Sequence, residues 1–313
     1  MNFKVFYGIP DHKKEVTEIC HHDLLKHNII TIPEGDVKRS SYFGDHVVMI
    51  EKKIYILLLE GEEEKKEWEY GPTYTIKINI KDMTVHATSE KEIDEKLNKI
   101  HQQLQLSYGS FQEELPEQKM VVRYLTGQEK VLEIGSNIGR NSLVIASIVK
   151  NDNFLTLESD ANIAKQLEEN KNLNHFTFLI ENCALSKRKL IQNGWVTKPI
   201  EVLEEECHQY QQQVNIKNWE ELQLQYNIEF DTLILDCEGA FYYILMDMPE
   251  ILTKMQLIIM ENDYNFIEHK EYVDSVLTKY NFYKEYSEGG GWGCCHDNFF
   301  EVWKKAPEKK EDE

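Results

Sequence analysis

Residues 131–141, with the sequence VLEIGSNIGRN, combine a carboxylate with a glycine-rich turn in a pattern typical of cofactor sites. Glycine lets the backbone approach a ligand where a Cβ atom would collide, and the first turn of a helix offers unpaired N–H groups. The segment therefore predicts a strand, a turn and a helix that together form the first unit of a nucleotide-type cofactor site. Its candidate ligand-binding residues are Glu133, Gly135, Asn137 and Gly139, and the helical pattern runs from Asn141 to Lys150.

The residues of the turn distinguish between two classes of cofactor. A dinucleotide site requires Gly-x-Gly-x-x-Gly, so that the pyrophosphate rests on the helix N-terminus. Counted from Gly135, this pattern needs glycine where the chain has Asn137 and Arg140. The carboxylate of Glu133 would also repel a pyrophosphate, whereas it suits the cationic α-amino group of S-adenosylmethionine. We therefore expect S-adenosylmethionine rather than NAD, and the alternative is a tight turn that binds no ligand.

A second acid follows the turn at the spacing expected of a ribose ligand. Residues 154–158 read as a buried strand that ends in Glu158, about 20 residues beyond the glycines, where a carboxylate can accept hydrogen bonds from both ribose hydroxyls. A crossover helix (161–172), a third strand (176–180) and a loop (181–186) are expected next. This loop should border the adenine, with Asn182 and Cys183 beside it, and the Asn182 amide can pair with a purine edge.

Two more apolar segments, 230–236 and 256–260, end in acids. Ligands of open α/β sheets bind beyond the carboxyl ends of the strands, so these acids should border the reactive end of the cofactor. Methyl transfer to a hydroxyl needs a base or a metal ion. Asp236 is the expected base, while Glu238 and Glu261 assist it or, in a less favoured variant, hold Mg²⁺. Asn262 is expected to contact the acceptor.

A loop rich in glycine, residues 287–297, separates two C-terminal strand patterns that resemble a hairpin. Such a loop should lie over the acceptor side of the site. Trp292 can stack on the apolar face of a sugar, and His296 is the reserve base. The alternative is a flexible hairpin tip without a role in binding.

The segments VLEIGSNIG, NCALS and FDTLILDCEGA resemble those of the FkbM-type methyltransferases, which are class I S-adenosylmethionine-dependent enzymes that mostly methylate hydroxyls. The resemblance covers residues 118–304, with a poor match over 201–229. Asp-x-Glu-Gly-Ala at 236–240 is its most specific motif, although the family usually has Glu where this chain has Phe241. The resemblance implies an α/β fold with a Rossmann-like seven-stranded sheet whose last strand is antiparallel. It also implies O-methylation of a sugar, nucleotide sugar or glycan.

Two other functions stay open. An N-methyltransferase acting on an amino sugar or small amine would not need a strong base, because a neutral amine is already nucleophilic. A cofactor-binding or scaffold protein without activity would also be compatible with the fold. The sequence argues against a decayed site, since the acids and glycines of the cofactor motifs and Asp236 are all present.

Composition limits the partners. The 313 residues include 35 basic and 55 acidic ones, giving a net charge of −20, which disfavours nucleic acid because phosphate contacts need a basic face. No signal peptide and no membrane-length apolar run are apparent, so we expect a cytoplasmic protein with reduced thiols. Cys294, Cys295 and His296 do not have the spacing of a structural zinc site. A homo-oligomer is compatible with the sequence.

The N-terminal part reads as a separate α+β module of unknown role. The predicted boundaries are 1–88 for the module, 89–109 for a helical linker, 110–305 for the methyltransferase domain and 306–313 for a charged tail. Within the module we expect strands at 3–7, 28–33, 53–59 and 74–80, a helix at 17–27 and a charged loop at 61–70; a connecting helix should follow at 91–106.

A group in the module comprising Arg39, Tyr42, Phe43 and Asp45 is expected on a loop. There it could bind a sugar or a partner, or simply pack. The module is similar to modules on glycan-modifying proteins of large DNA viruses, and the Lys-, Asn- and Ile-rich composition is typical of an AT-rich genome. This similarity implies a viral protein that is located in the cytoplasm of the host cell.

Overall fold

The structure, a computed structural model, describes residues 2–26, 28–60, 63–200 and 212–307. The chain divides into two compact units, Met1–Lys96 and Leu97–Glu313. Among the described residues, no helix has both the length and the apolar character needed to cross a bilayer.

The N-terminal unit consists of two antiparallel four-stranded sheets and short helices. Its elements, in chain order, are β1 (Asn2–Ile9), β2 (His12–Glu15), α1 (Thr17–Asp23), β3 (Leu25–Lys26), β4 (Ile29–Ile32), α2 (Asp36–Phe43), β5 (Lys53–Glu60), β6 (Glu63–Tyr70), β7 (Tyr74–Asn79), β8 (Thr84–Ser89) and α3 (Glu90–His101). The strand order is β2-β1-β5-β6 in the first sheet and β3-β4-β7-β8 in the second.

Alternating apolar residues build the core of this unit. Successive side chains of a strand point to opposite faces, so every second residue reaches the interior. Val5 and Tyr7 of β1, Ile54 and Ile56 of β5, and Ile76 of β7 follow this rule and are fully buried. The predicted strands are therefore present. The predicted helix 17–27 ends early, at Asp23, and the connecting helix ends at His101 rather than at 106.

The prediction of a loop around Arg39 was wrong. Arg39 and Phe43 lie four residues apart on α2, and both side chains are buried. The Arg39 guanidinium donates hydrogen bonds to three carbonyls, those of Pro33 (2.8 Å), Gly71 (2.9 Å) and Tyr74 (2.6 Å). The group therefore does not form a common surface for a sugar or partner, because its arginine and phenylalanine hold the unit together from inside.

The charged segment 61–70 was also predicted wrongly as a loop. Residues 63–70 form β6, at the edge of the first sheet, and residues 61 and 62 lie outside the described part of the chain. Trp68 and Tyr70 pack against the core on one face of β6, while Glu67 and Glu69, which alternate with them, point to the opposite face. Charged side chains are common on edge strands because they discourage pairing with another chain.

Replacement of Arg39 by Lys should destabilise the N-terminal unit by about 2–4 kcal/mol, because an ammonium cannot reach three carbonyls held by a planar guanidinium. Hydrogen–deuterium exchange of the full chain should show faster exchange in β4 and β7. Lys38→Arg, an exposed change on the same helix, is the matched control. Unchanged protection in Arg39→Lys would show that the three hydrogen bonds do not stabilise the unit.

The C-terminal unit is a three-layer α/β structure. Its elements, in chain order, are α4 (Leu115–Tyr124), β9 (Val131–Ile134), α5 (Arg140–Ile148), β10 (Phe154–Leu157), α6 (Ala161–Leu173), β11 (Leu179–Glu181), β12 (Ala184–Leu185), β13 (Leu190–Asn193), β14 (Val196–Pro199), β15 (Gln212–Gln213), β16 (Ile216–Lys217), α7 (Trp219–Tyr226), β17 (Thr232–Leu235), α8 (Phe241–Asp247), β18 (Leu257–Glu261), α9 (Ile267–Lys279), β19 (Phe282–Glu288) and β20 (Phe300–Lys305).

Seven strands form the central sheet in the order β11-β10-β9-β17-β18-β20-β19. The first five are parallel, and β20 runs antiparallel to both β18 and β19. All four residues of β9, β10 and β17 are buried, as expected of parallel strands covered by helices on both faces. The predicted α/β fold, with seven strands and an antiparallel final strand, is confirmed.

The largest differences from the sequence prediction lie between β11 and α7. The predicted third strand, 176–180, is reduced to Leu179–Glu181. An insertion follows in which β13 pairs with both β14 and β15, and β12 pairs with β16. The tight turn between β13 and β14 contains Gly194 at a positive φ of 60°. Residues 201–211 of the poorly matched stretch lie outside the described residues, as do residues 308–313 of the predicted tail.

Candidate active site

A cavity of about 410 Å³ opens at the carboxyl ends of the parallel strands. This volume lies in the range of small-molecule sites. The cavity adjoins the point where the strand order reverses, between β9 and β17, which is where open α/β sheets bind ligands. Among the described residues, its lining contains no Lys, Arg or His but seven acids: Glu114, Glu117, Glu158, Asp236, Glu238, Glu261 and Asp263.

The turn after β9 forms the floor of the cavity. Gly135 has a φ of +85°, and a Cβ atom there would lie 1.7 Å from the carbonyl oxygen of Asp236. Gly139 has a φ of +93°, and its Cβ would lie 2.4 Å from a methyl carbon of Leu167 on α6. Gly135 and Asn137 line the cavity, whereas Gly139 does not. Both glycines are therefore required by close packing within the protein, which is a different reason from the approach to a ligand that the sequence indicated.

Glu158, directly after β10, lines the cavity. Its carboxylate accepts one hydrogen bond from the backbone N–H of Asn137 and one from that of Asp160, both 2.8 Å long. Burial raises the pKa of Glu158 to about 7, although these N–H donors lower it. Each carboxylate oxygen has a second lone pair. Glu158 can therefore hold the turn and still accept a hydrogen bond from a ligand.

Glu133 does not occupy the predicted position. Its carboxylate is 1% exposed and is not part of the cavity lining. It accepts hydrogen bonds from Ser142, at 2.5 Å, and from Asn141, at 3.4 Å. Burial raises its pKa to about 7. Because β9 carries Glu133 on the side facing the start of α5, the carboxylate holds that helix and is enclosed behind the cavity wall.

The acids after β17 and β18 form one cluster. One carboxylate oxygen each of Asp236, Glu261 and Asp263 lies within 4.8 Å of the others. Burial, and then the negative charge of neighbouring acids, raises the pKa of Asp236 and of Glu261 well above the usual range. The same two causes raise the pKa of Asp263 to about 7. The cluster therefore favours bound protons or another positive charge.

Two acids of the cavity, Glu114 and Glu117, were missed by the sequence analysis. Both stand at the start of α4, where Glu114 precedes the helix with a φ of +58° and accepts a hydrogen bond from Arg140 (2.6 Å). Glu117 is 8% exposed, and its carboxyl group lies next to that of Glu261. The only sequence signal was a pair of acids before the apolar run of α4, and this pattern is common on ordinary helices.

Of the two residues predicted beside the adenine, Cys183 lines the cavity and Asn182 does not. The Asn182 amide donates to the carbonyls of Glu158 (2.8 Å) and Ser159 (3.2 Å), and it lies outside the cavity lining. Its N–H donors therefore shape the loop, and the predicted contact with the adenine is not supported by the position of its side chain. Cys183 does line the cavity, and so does Trp195 at the tip of the β13–β14 turn, which the sequence analysis did not single out.

The glycine-rich loop contributes one of its two predicted residues. Trp292 lines the cavity with 48% of its surface exposed. The side chain of His296 is 65% exposed, contacts Asp297 and lies outside the lining, so the reserve base is not in position. The loop is a packed turn, since Phe299 covers Gly291 so closely that a Cβ there would collide with its ring.

Asn262 was expected to contact the acceptor, but its side chain is fully buried and donates to the carbonyl of Asn298 (2.6 Å). It therefore connects β18 to the C-terminal hairpin and does not face the cavity.

Within the described chain, the only metal-binding arrangement of at least three His, Cys, Asp or Glu residues is the carboxylate cluster, so Cys294, Cys295 and His296 do not form a zinc site.

Neither a protein-family model nor a curated protein matches the sequence. Solved structures similar to this chain include an O-methyltransferase from Bacillus cereus in complex with SAH (12% identity, 69% of this chain, 90% of that one, TM-score 0.38). Another is the O-methyltransferase TomG from Streptomyces achromogenes, involved in tomaymycin synthesis, in complex with SAM (12%, 69%, 90%, TM-score 0.39). A third is a ribosomal protein L11 methylase from Lactobacillus delbrueckii (13%, 64%, 82%, TM-score 0.40). These likenesses are too distant to assign a function.

The raised pKa values make the stability of the ligand-free chain depend on pH. A carboxyl whose pKa is raised by folding stabilises the fold fully below its usual pKa, and this contribution is lost as pH rises through about 7. The thermal midpoint should therefore fall between about pH 5 and pH 8.

Glu133→Gln, which cannot ionise, should flatten part of this fall and should be more stable than the wild type at the upper pH by about 1 kcal/mol or more. Thermal unfolding monitored by circular dichroism gives the measurement. The exposed Asp152→Asn is the control. A parallel fall in both variants would contradict the assignment of a raised pKa to Glu133.

Proposed function

We propose that the chain is an S-adenosylmethionine-dependent methyltransferase. The observation that carries the proposal is the charge of the cavity, whose described lining contains seven acids and no basic residue. A pyrophosphate or a nucleic acid backbone would be repelled from such a site. S-adenosylmethionine carries a sulfonium and an ammonium group, so its charge matches the cavity, and the fold and the switch-point location are compatible with this cofactor.

Each part of the cofactor has a proposed partner. Glu158 is the proposed ligand of the ribose hydroxyls, since it lines the cavity directly after the second strand of the motif. The apolar residues Leu157 and Leu185, with the buried Cys183, are the proposed wall for the adenine. Because Glu133 is enclosed, Glu114 replaces it as the proposed partner of the ammonium group.

The proposed reaction transfers the methyl group from the sulfonium to an acceptor hydroxyl, whose proton passes to Asp236. Asp236 lies after β17 on the rim of the cavity, next to the other acids of the cluster. Burial and the neighbouring acids raise the pKa of Asp236 in the ligand-free chain, which favours its protonated form. A bound sulfonium would lower this pKa by its positive charge and so favour the ionised form that can act as the base.

The proposed acceptor is a hydroxyl of a sugar, nucleotide sugar or glycan; the diphosphate of a nucleotide sugar would have to lie outside the acid-lined cavity. Trp292 and Trp195 are exposed by 48% and 62% and both line the cavity, so they offer flat apolar surfaces at its mouth. The FkbM-type motifs also favour this acceptor class. An amine is the second candidate, because a protonated amino sugar or small amine would be attracted by the same acids.

Glu158→Ala should weaken the affinity for S-adenosylhomocysteine by about 1–3 kcal/mol, the range for lost hydrogen bonds to a charged group. Calorimetry on the full chain gives the affinity. Since Glu158 also holds the backbone of Asn137, Glu158→Gln is a useful second variant because one acceptor oxygen remains. Unchanged affinity in both variants, or tight binding of NAD, would contradict the cofactor assignment.

Asp236→Asn should lower kcat by at least about 10²-fold, the lower end for loss of a general base. The wild-type rate should rise with pH as Asp236 ionises, and this dependence should disappear in the variant. Affinity for S-adenosylhomocysteine should change much less than kcat. Asp152→Asn serves as the control, because this exposed aspartate lies outside the cavity lining. Near-normal turnover in Asp236→Asn would exclude it as the base.

Turnover with a panel of sugars, nucleotide sugars and amino sugars, with mass detection of the product, tests the acceptor. An O-methylated product supports the proposal, and an N-methylated product replaces it with the second candidate. Binding of S-adenosylhomocysteine without turnover on any acceptor would favour a cofactor-binding protein without activity.

A further inference from the structure

The carboxyl ends of β17 and β18 bring three carboxylates together on one side of the cavity. The two strands are parallel neighbours, so their ends meet at the same edge of the sheet. Asp236 follows β17, Glu261 is the last residue of β18, and Asp263 comes two residues later. One oxygen of each lies within 4.8 Å of the other two.

Two buried carboxylate oxygens beside this cluster have no hydrogen-bond partner among the described residues. They are Oδ2 of Asp263 and Oε2 of Glu117. Asp263 is 3% exposed and Glu117 is 8% exposed, and both line the cavity. A buried polar oxygen without a partner is costly. Both oxygens therefore indicate a missing positive group on this side of the cavity.

Among the described residues, no basic side chain supplies that positive group. The described lining contains no Lys, Arg or His. Arg140, which bonds Glu114, is outside the lining and is already held between Glu113 and Glu114. The carboxyl group of Glu117 lies next to that of Glu261, so it belongs to the same group of acids.

We propose that Asp236, Glu261 and Asp263 bind one divalent metal ion, with Glu117 beside them as a further oxygen donor. The ion replaces protons that the cluster would otherwise hold, so binding releases protons and strengthens as pH rises. Binding itself assumes nothing about methyl transfer. Only the role of the ion rests on the proposed function: it would hold the acceptor oxygen and make its hydroxyl more acidic. Asp236 offers the ion one carboxylate oxygen, so its second oxygen stays available to accept the hydroxyl proton.

The donor set identifies the class of ion. All candidate ligands are carboxylate oxygens, which suit Mg²⁺, Mn²⁺ and Ca²⁺, whereas zinc sites usually contain nitrogen or sulfur. Ligand oxygens on opposite sides of Ca²⁺ are about 4.8 Å apart, and those around Mg²⁺ about 4.2 Å. The spacing of the three oxygens is within reach of these ions. The acid that the sequence singled out as a partner for Glu261, namely Glu238, is not one of the three.

Mn²⁺ is the probe for the test, because its paramagnetism reports binding directly. The full chain, treated with EDTA and then freed of it, is titrated with Mn²⁺ and followed by electron paramagnetic resonance without cofactor or acceptor. We expect one site per chain, competition by Mg²⁺ or Ca²⁺, and tighter binding at higher pH. Asp263→Asn should weaken binding by at least about tenfold, as loss of a partner behind a metal ligand alone costs roughly 10–100-fold.

Glu117→Gln is the second variant, in case Asp263→Asn does not fold, and circular dichroism checks folding of both. Glu238→Gln is the matched control, since Glu238 lines the same cavity outside the cluster. It removes a nearby charge but no ligand, so it should weaken Mn²⁺ binding much less than Asp263→Asn does. Absence of binding, several weak equivalent sites, or an equal loss in Glu238→Gln would overturn the proposal.

The proposal and the proposed function fail in different ways. Mn²⁺ binding at the cluster without turnover on any acceptor would support the metal site and contradict the proposed methyltransferase activity. Turnover in the presence of EDTA by a chain that binds no Mn²⁺ would contradict the metal site and support the proposed methyltransferase activity.

Discussion

The close approach of the turn after β9 to the end of β17 is the contact on which the cavity depends. Only a residue without a Cβ fits at Gly135, because the carbonyl oxygen of Asp236 would lie 1.7 Å from that atom. The contact closes the cavity floor where the strand order reverses. It also brings the end of β17, with its acids, beside the turn that Glu158 holds from the other side. The turn held by Glu158, at the proposed cofactor end, and the acids after β17, at the proposed reactive end, therefore border one cavity.

The second constraint is electrostatic. Seven carboxylates share one cavity whose described lining contains no base, and burial raises the pKa of several of them to about 7 or higher. Folding therefore concentrates negative charge that the ligand-free chain neutralises with protons. A cationic ligand, whether a sulfonium, an ammonium or a metal ion, gains affinity from the same arrangement. Crowding the acids therefore lowers the stability of the ligand-free fold and raises the affinity of the cavity for a cationic ligand. Functional sites often combine lower stability with perturbed pKa values in this way.

Much of the C-terminal unit could be predicted from the sequence because its strands are short, continuous apolar runs that end in acids. The runs around 131–134, 154–157 and 232–235 are each fully buried, and such runs are recognisable without knowledge of the fold. The insertion after β11 and the charged edge strand β6 could not be predicted in this way. β6 is charged along much of its length and is stabilised by pairing with its neighbour β5, while β12 and β13 of the insertion also pair with strands farther along the chain. Such pairing leaves no continuous apolar pattern in the sequence.

The sequence by itself determined the order along the chain of the parallel strands of the central sheet, the glycines of the tight turn and the presence of acids at the strand ends. Only the tertiary structure decided which acids face the cavity. Glu133 and Asn262 stand at expected positions in the sequence, yet the first is enclosed by α5 and the second by the C-terminal hairpin. Glu117 and Asp263, which were not among the predicted site residues, are brought to the cavity by the packing of α4 and β18 around it. A side chain's direction depends on what packs against its element, and those partners are distant in the sequence.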